Sequence, residues 1–262
     1  DGANRIGALI RRAQEFEQPA LAITDHGNLH AAWDFQEKAK KAGVKPIIGM
    51  EAYVAPGDRR ARARGPNGKA YYHLVLLARD LVGYKNLCKL SSLAYTEGFY
   101  SRPRVDRELL ARYHEGIIVS SACLAGEIAT HLQANDLDAA RETAHWYANL
   151  FRDRYYLEVQ AHDSEGQAQL NERVFALARE VGLPVVATND AHFLTAADHD
   201  AHDVLLCIGL GKDRESRDRM RYDKGLYFKS APEIAERFPG RADVLANTLA
   251  IADQVDVAFT KT

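Results

Sequence analysis

Side chains able to hold a divalent cation stand at the ends of apolar runs throughout this sequence. His26 follows ALAIT (20–24), Glu51 lies within KPIIGMEAYVA (45–55), Cys123 follows GIIVSSA (116–122), and Asp190 and His192 follow PVVAT (184–188). Imidazole, carboxylate and thiolate are ligand types of zinc and related ions, and two or more carboxylates bridge adjacent metals. Binding of divalent cations is therefore the chemistry this set suits. His26 reads as a ligand, with Asp25 orienting it or ligating beside it. Asp190 and His192 are separated by one residue, so in an extended chain both point to one side and reach one ion.

Residues so far apart in sequence meet only if the elements carrying them converge. Hydrophobic period divides the chain into short apolar runs and helical stretches. ALAIT reads as a strand, followed by a helix from about Asn28 to Lys41 that stops at Gly43. Further strands are expected at 45–55, YYHLVLLA (71–78), 116–122, YYLEVQ (155–160) and PVVATND (184–190). Helices are expected at VGYKNLCKLSSLAYTEG, from Gly126 to about Arg152, and at QAQLNERVFALAREVG. Most of these strands are apolar throughout and followed by a helix. That pattern argues an α/β fold with a parallel sheet covered on both faces, open or closed into a barrel. About 250 residues is the usual size of such a barrel. In parallel sheets the C-terminal ends of the strands share one face, where sites are assembled.

Composition sets outer limits. With 262 residues, 47% hydrophobic and 27% charged, the chain has material for one large α/β domain or two small ones. Cys88, Cys123 and Cys207, odd in number and widely spaced, argue against a disulfide framework and for a reducing, cytoplasmic compartment. There is no apolar run of the ~18 residues that a membrane span needs, and DGANRIGALIRR lacks the apolar stretch of a signal peptide. The absence of a starting methionine is what a fragment would show. A formal charge of −2, from 34 basic and 36 acidic residues, neither demands nor excludes nucleic acid. Basic residues do cluster: Arg59, Arg60, Arg62, Arg64 and Lys69 in GDRRARARGPNGK, Arg102, Arg104 and Arg107 in SRPRVDR, and RESRDRMR at 214–221. Each cluster reads as solvated loop charge or as phosphate contact.

Several candidates have a structural reading beside the functional one. Asn28 suits the cap of the helix after it, and Asp25 is a second cap candidate. His73 sits inside its strand, as a core histidine would, and Cys123 fits a small buried hydrophobe as well as a ligand. Gly27 and Asn28 interrupt any helix joining His26 to His30, so His30 reads as surface. His199 and His202 in DHDAHD have helical spacing, with acids that complement the dipole at a helix start. His162 follows a strand and is a candidate to face the site. His114, His131 and His145 carry no signal.

Six stretches together carry a family resemblance: ALAITDHGNL, GVKPIIGMEAYVA, YYHLVLLARDLVGYKNLCKLSSLAY, GFYSRPRVDRELL, SSACLAGEI and VATNDAHF. In order and spacing they closely resemble the PHP (polymerase and histidinol phosphatase) domain found at the N-terminus of the α subunit of bacterial DNA polymerase III. The resemblance extends over essentially the whole chain, to NTLAIADQVDV at 247–257. It implies a distorted TIM-like barrel of seven β/α units whose mouth holds up to three divalent metals, zinc first, with manganese or magnesium as alternatives. Carried over residue by residue, the ligand pattern falls on Asp1, His26, Glu51, His73, Cys123, Asp190 and His192. His26, Glu51, Asp190 and His192 are the catalytic candidates, with Asp25, His162 and His202 as supporting residues behind them.

The family pattern opens with a His-x-His on the first strand, upstream of the position matched by Asp1. The resemblance therefore implies that this strand and two ligands are largely missing from the chain. It further implies a single PHP domain over 1–262, an N-terminal fragment of a larger replicative polymerase whose palm follows residue 262. The expected activity is 3′ to 5′ exonuclease proofreading at a DNA primer end, with Arg59, Arg62 or Arg104 holding the strand. Two alternatives stand beside it. One is a catalytically silent, metal-stabilised scaffold that docks a separate proofreading exonuclease subunit. The other is a free-standing small-molecule phosphatase, against which GYKNLCKLSSLAY and FYSRPR argue because they match the polymerase branch.

Overall fold

The computed structural model describes residues 2–65 and 67–259. Among these, eight strands form one curled sheet: β1 (Ala20–Ile23), β2 (Lys45–Val54), β3 (Tyr72–Ala78), β4 (Phe99–Tyr100), β5 (Arg102–Val105), β6 (Ile117–Ser120), β7 (Tyr155–Gln160) and β8 (Val185–Thr188). The order is β4-β5-β2-β3-β6-β7-β8, with β1 also paired to β2. Helices α1 (Ile6–Glu15), α2 (Ala32–Lys41), α3 (Leu81–Thr96), α4 (Arg107–Arg112), α5 (Glu127–Gln133), α6 (Leu137–Phe151), α7 (Glu165–Val181), α8 (His199–Leu210), α9 (Ala231–Arg237) and α10 (Ala242–Gln254) complete the α/β architecture. Every residue of β2 after Lys45 is buried, as expected of a strand covered on both faces.

The expectation of a uniformly parallel sheet is corrected at β3. This strand runs antiparallel to both neighbours, β2 and β6, whereas β1–β2, β2–β5, β6–β7 and β7–β8 are parallel. The physical reason lies in the connection. A loop without a helix joins β2 to β3, and a return in the same sheet without a crossover is antiparallel.

Local sequence explains the helices. Asp80 accepts a hydrogen bond from the Gly83 amide and starts α3, whose Leu87, Leu90 and Ala94 face the core at helical spacing. Gly83 is required by close approach: a Cβ there would stand 1.7 Å from the Gly116 carbonyl oxygen. The helical stretch expected from Gly126 to Arg152 divides into α5 and α6, because Asn135 takes a positive φ of 59° and Asp136 caps the second helix. The helix expected from Asn28 begins only at Ala32. Asn28 instead closes a turn, its Oδ1 accepting from the His30 amide and its Nδ2 donating to the His26 carbonyl.

The main core joins β2, β3, β6, β7 and β8 to α3, α6 and α7 through residues such as Leu76, Leu90, Phe151 and Tyr155. A second cluster, including Ile10, Phe35, Ala39 and Ile48, seats α1 and α2 against β1 and β2. A cavity of about 1190 Å³ lies within the curl of the sheet, lined in part by β1, β8 and the loops after them.

Candidate metal centre

The β1–β2 ladder brings the first two candidates together. Ala20 pairs with Lys45 and Ile23 with Ile48, and after a break at Thr24 and Asp25 the same register resumes with His26 opposite Glu51. His26 Nδ1 lies 3.7 Å from Glu51 Oε2. His73, near the start of β3, pairs with Tyr53 near the end of β2. Its position inside a strand suggested a core residue. The antiparallel direction of β3 instead puts the strand's beginning at the mouth, and His73 Nδ1 stands 2.8 Å from Glu51 Oε1.

Cys123 arrives from the loop after β6. Ala122 takes a positive φ of 61°, and the Ala125 amide points at Cys123 Sγ over 3.4 Å. Gly126 is the residue this turn needs, since a Cβ there would meet the Ser121 carbonyl oxygen at 2.3 Å. Sγ is 3.4 Å from His73 Nδ1 and 3.5 Å from Glu51 Oε1. One ligand atom from each of His26, Glu51 and His73 fits within 4.8 Å of the others.

Asp190 and His192 line the same cavity as His26, Glu51 and Cys123. They do not reach it as an extended pair, because β8 ends at Thr188 and Asp190 has a φ of 45°. His192 Nδ1 is 2.9 Å from the Asp190 carbonyl oxygen, which only accepts, so Nδ1 is the donor in that contact. The segment before α1 braces this turn, with the Ala3 amide donating to the His192 carbonyl and Asn4 Nδ2 to that of Ala191. Asp1 lies outside the described residues.

Electrostatics tie the group together. Burial opposes the charge on Glu51, but the hydrogen bond and charge of His73, with help from His26, hold its carboxyl below the usual range. Burial and the Glu51 carboxylate push the Asp190 carboxyl up. The Cys123 thiol is pushed well up by burial and then by Glu51 and Asp190. A buried anionic Glu51 that raises the pKa of Asp190 and of Cys123 suits a cation, which would compensate the shared charge. The donor spacings agree: ligand atoms around a tetrahedral ion with bonds of about 2.0–2.3 Å stand roughly 3.3–3.8 Å apart, as both contacts to Sγ do. This donor set fits a divalent cation, and His26, Glu51 and His73, with Cys123 against the last two, are the side chains that could hold one.

The supporting candidates divide. His202 is buried against His192, Phe193 and Tyr222, and burial and neighbouring histidines push its pKa down to about 4. His162 is also pushed down to about 4, by burial and Lys229. Asp25 is corrected: it is exposed, and among the described residues its carboxylate makes no hydrogen bond or ion pair, so it neither orients His26 nor caps α2. Two of the strand-holding arginines are corrected as well. Arg59 is 2% exposed and paired with Glu97, Asp106 and Glu108, while Arg104, 1% exposed, donates to the carbonyls of Arg59, Ala61, Ala70 and Gly98. Arg62 remains exposed.

Other side chains at the site went unnoticed in the sequence. Tyr53 stacks on His26 with ring centres 5.4 Å apart, and Tyr71 lies parallel to His73 at 5.9 Å. Tyr53 follows Glu51 by two residues in β2, a spacing that could have flagged their shared face. Tyr222 packs 4.5 Å from the His192 ring but comes from an aperiodic segment that carried no signal. Glu158, on β7, accepts from Ser120, Thr188 and Gln160 inside the cavity wall, and burial pushes its carboxyl up to about 7.

Comparison with known proteins places the sequence among relatives. The chain is 41% identical over 257 residues to the DNA polymerase III subunit alpha of Borreliella burgdorferi, covering 98% of this chain and 22% of that protein. It is 43% identical over 247 residues to the protein of the same name from Deinococcus radiodurans, covering 91% and 18%. The chain thus spans about a fifth of the length of these relatives. Among solved structures, an amidohydrolase from Chromobacterium violaceum aligns with a TM-score of 0.40 at 14% identity, covering 73% of this chain and 84% of that one. One family profile, described as PHP domain, matches residues 1–162, more than half of the sequence, and the chain belongs to that family.

Proposed function

We propose that this chain is a metal-dependent phosphoesterase domain that removes nucleotides from the 3′ end of DNA, proofreading beside the polymerase elements of a replicative α subunit. The observation that carries this reading is the contact set of His26, Glu51, His73 and Cys123 at a cavity shared with Asp190 and His192. The relatives named as polymerase subunits support DNA as the substrate. In this proposal residues 1–262 form one domain, and the palm belongs to the remainder of the longer protein. Sulfur and nitrogen donors beside carboxylates favour zinc, with manganese or magnesium as alternatives.

Bound cations would supply Lewis acidity and a hydroxide nucleophile near neutral pH. The chain's own residues set the conditions for that. Glu51, kept anionic by its two histidines, and Asp190 provide the compensating negative charge. Nδ1–H of His192 anchors to the Asp190 carbonyl and fixes the ring with Nε2 as its donor to a cation. Tyr53 and Tyr222 hold His26 and His192 by stacking and packing.

The test is nucleotide release from a primer with a mismatched 3′ end, with divalent metal added. Asp190→Asn and His192→Ala are expected to slow release by about a hundredfold or more. Equal rates in wild type and both variants would overturn the nuclease and leave a scaffold stabilised by metal.

A further inference from the structure

We infer that Arg219 and Asp203 are a positioning pair for the metal centre: their fork clamps α8 to the segment after it, so that His202 and Tyr222 close on the ring of His192. The role rests on the reading of His192 as a ligand. Three rings are in mutual contact there. The His192 ring centre lies 4.5 Å from that of Tyr222 and 6.0 Å from that of His202, and the latter two are 5.4 Å apart. His202 belongs to α8 and Tyr222 to the segment that follows it, so the setting of His192 depends on how those two elements meet.

They meet at the fork. Arg219 Nη1 donates to Asp203 Oδ1 over 2.6 Å and Nη2 to Oδ2 over 2.7 Å. Asp203 is the residue after His202, and Arg219 stands one short turn before Tyr222. Two parallel charge-assisted bonds fix direction as well as distance. The Arg219 side chain is only 3% exposed, and its Nε and Nη2 also donate to the Arg214 carbonyl, which accepts from Arg221 as well. His199 Nε2, from the first turn of α8, lies 3.2 Å from the Tyr222 carbonyl. Beyond Tyr222 the segment is tied again, the His192 amide donating to the Leu226 carbonyl and the Phe228 amide to that of Phe193. Tyr222 is thus held between two anchors, one of which is the fork.

The orientation of α8 sets this fork apart from a surface ion pair, which would contribute little. His202 and Asp203 are buried, while Val204, Leu205 and Ile208 stand in solvent, Ile208 with 73% exposure. A helix placed by apolar burial alone would turn Val204 and Ile208 inward. Burying an unpaired carboxylate is costly, and Arg219 is the partner that makes Asp203 tolerable in that position. Groups that fix the ring of a ligating histidine raise its affinity for metal, and their loss weakens binding about 10- to 100-fold.

The experiment measures zinc affinity of the chain by competition with a chromophoric chelator. Arg219→Met and Asp203→Asn are each expected to weaken binding about tenfold, and the double variant no further than either, since both open the same fork. Arg219→Lys, which keeps the charge and cannot fork, should fall with them. Tyr222→Phe, which keeps the ring, should bind within about twofold of wild type. Epistasis separates positioning from general loosening: with His192→Ala already in place, Arg219→Met should change affinity no further, whereas a loosened fold would weaken both backgrounds alike. Near-ultraviolet circular dichroism identifies folded variants, and Asp203→Asn, nearly isosteric, carries the same comparison if Arg219→Met does not fold. Wild-type affinity in the folded fork variants, or equal loss with and without His192, overturns the inference and leaves the metal centre standing. If His192→Ala binds zinc as tightly as wild type, His192 leaves the ligand set and the inference falls with it. Coupling of the fork to zinc in a chain that hydrolyses no bis(p-nitrophenyl) phosphate sustains the fork and defeats the phosphoesterase.

Discussion

Nδ1 of His73 and Oε1 of Glu51 stand 2.8 Å apart on strands that run in opposite directions. The contact holds two donor atoms at the place where His26 and Cys123 also arrive, which makes Glu51 the centre of the group. Its loss should therefore be felt in metal binding before anything else. Glu51→Gln keeps the volume and removes the charge. Zinc should bind the variant about a hundredfold more weakly than wild type, and near saturation this removes about 2.7 kcal/mol of metal-linked stabilisation. Competition with a chromophoric chelator and thermal melts at fixed zinc measure both, and equal affinities would remove Glu51 from the ligand set.

Cys123 contributes a different signature. If its sulfur binds the cation, it does so as thiolate, and cobalt(II) in the same site acquires a sulfur-to-metal charge-transfer band in the near ultraviolet. Cys123→Ser should abolish that band, whereas Cys207→Ser, remote in the chain at the end of α8, should keep it. A band of equal intensity in Cys123→Ser would show that this sulfur is not bound.

The reach of the sequence can be judged from particular residues. His26, Cys123 and the Asp190–His192 pair were legible because each follows an apolar run, and Glu51 because it lies within one; run length marks strands well. His73 was ambiguous because hydrophobic pattern locates a strand without giving its direction, and direction decides whether a residue lies at the mouth. The arginines were misjudged for a related reason: a cluster of charge in sequence does not reveal which members are buried, and Arg59 and Arg104 are. Arg62 and Arg102, from the same two clusters, are exposed. Tyr222 and the hairpin β4–β5 were invisible, the first for want of periodicity and the second because two-residue strands are too short to show any.

Burial of Arg59 and Arg104 leads to a stability prediction. Arg59→Ala leaves Asp106, itself 3% exposed, without its buried partner, and should cost about 3–5 kcal/mol. Arg104→Met leaves backbone carbonyls short of donors and should cost about 3 kcal/mol. Arg102→Ala, on the same hairpin as Arg104 but exposed and without a carboxylate partner among the described residues, should stay within about 0.5 kcal/mol of wild type. Urea unfolding gives all three values, and a cost below about 1 kcal/mol for Arg59→Ala would contradict the structural role assigned to it.

Glu158 predicts how stability depends on pH. It lies on β7, buried among Ser120, Thr188 and Gln160, and its carboxyl is pushed from 4.5 up to about 7 by burial, against the hydrogen bonds it accepts. An acid whose pKa is higher in the folded state binds its proton more tightly there, so its contribution favours folding at low pH. That contribution falls as pH rises from 4.5 and is gone above about 7. At about 1.4 kcal/mol per pH unit the window amounts to roughly 3 kcal/mol, an upper figure because other groups titrate beside it. Glu158→Gln stays neutral throughout. Relative to wild type, it should therefore gain most of that difference between pH 5 and pH 8. Urea unfolding in chelator, where no cation holds the carboxylate charged, is the measurement. If the gap between the two proteins is the same at both ends of the range, Glu158 ionises as freely in the fold as in the unfolded chain, and its place in the wall of the cavity is wrongly drawn.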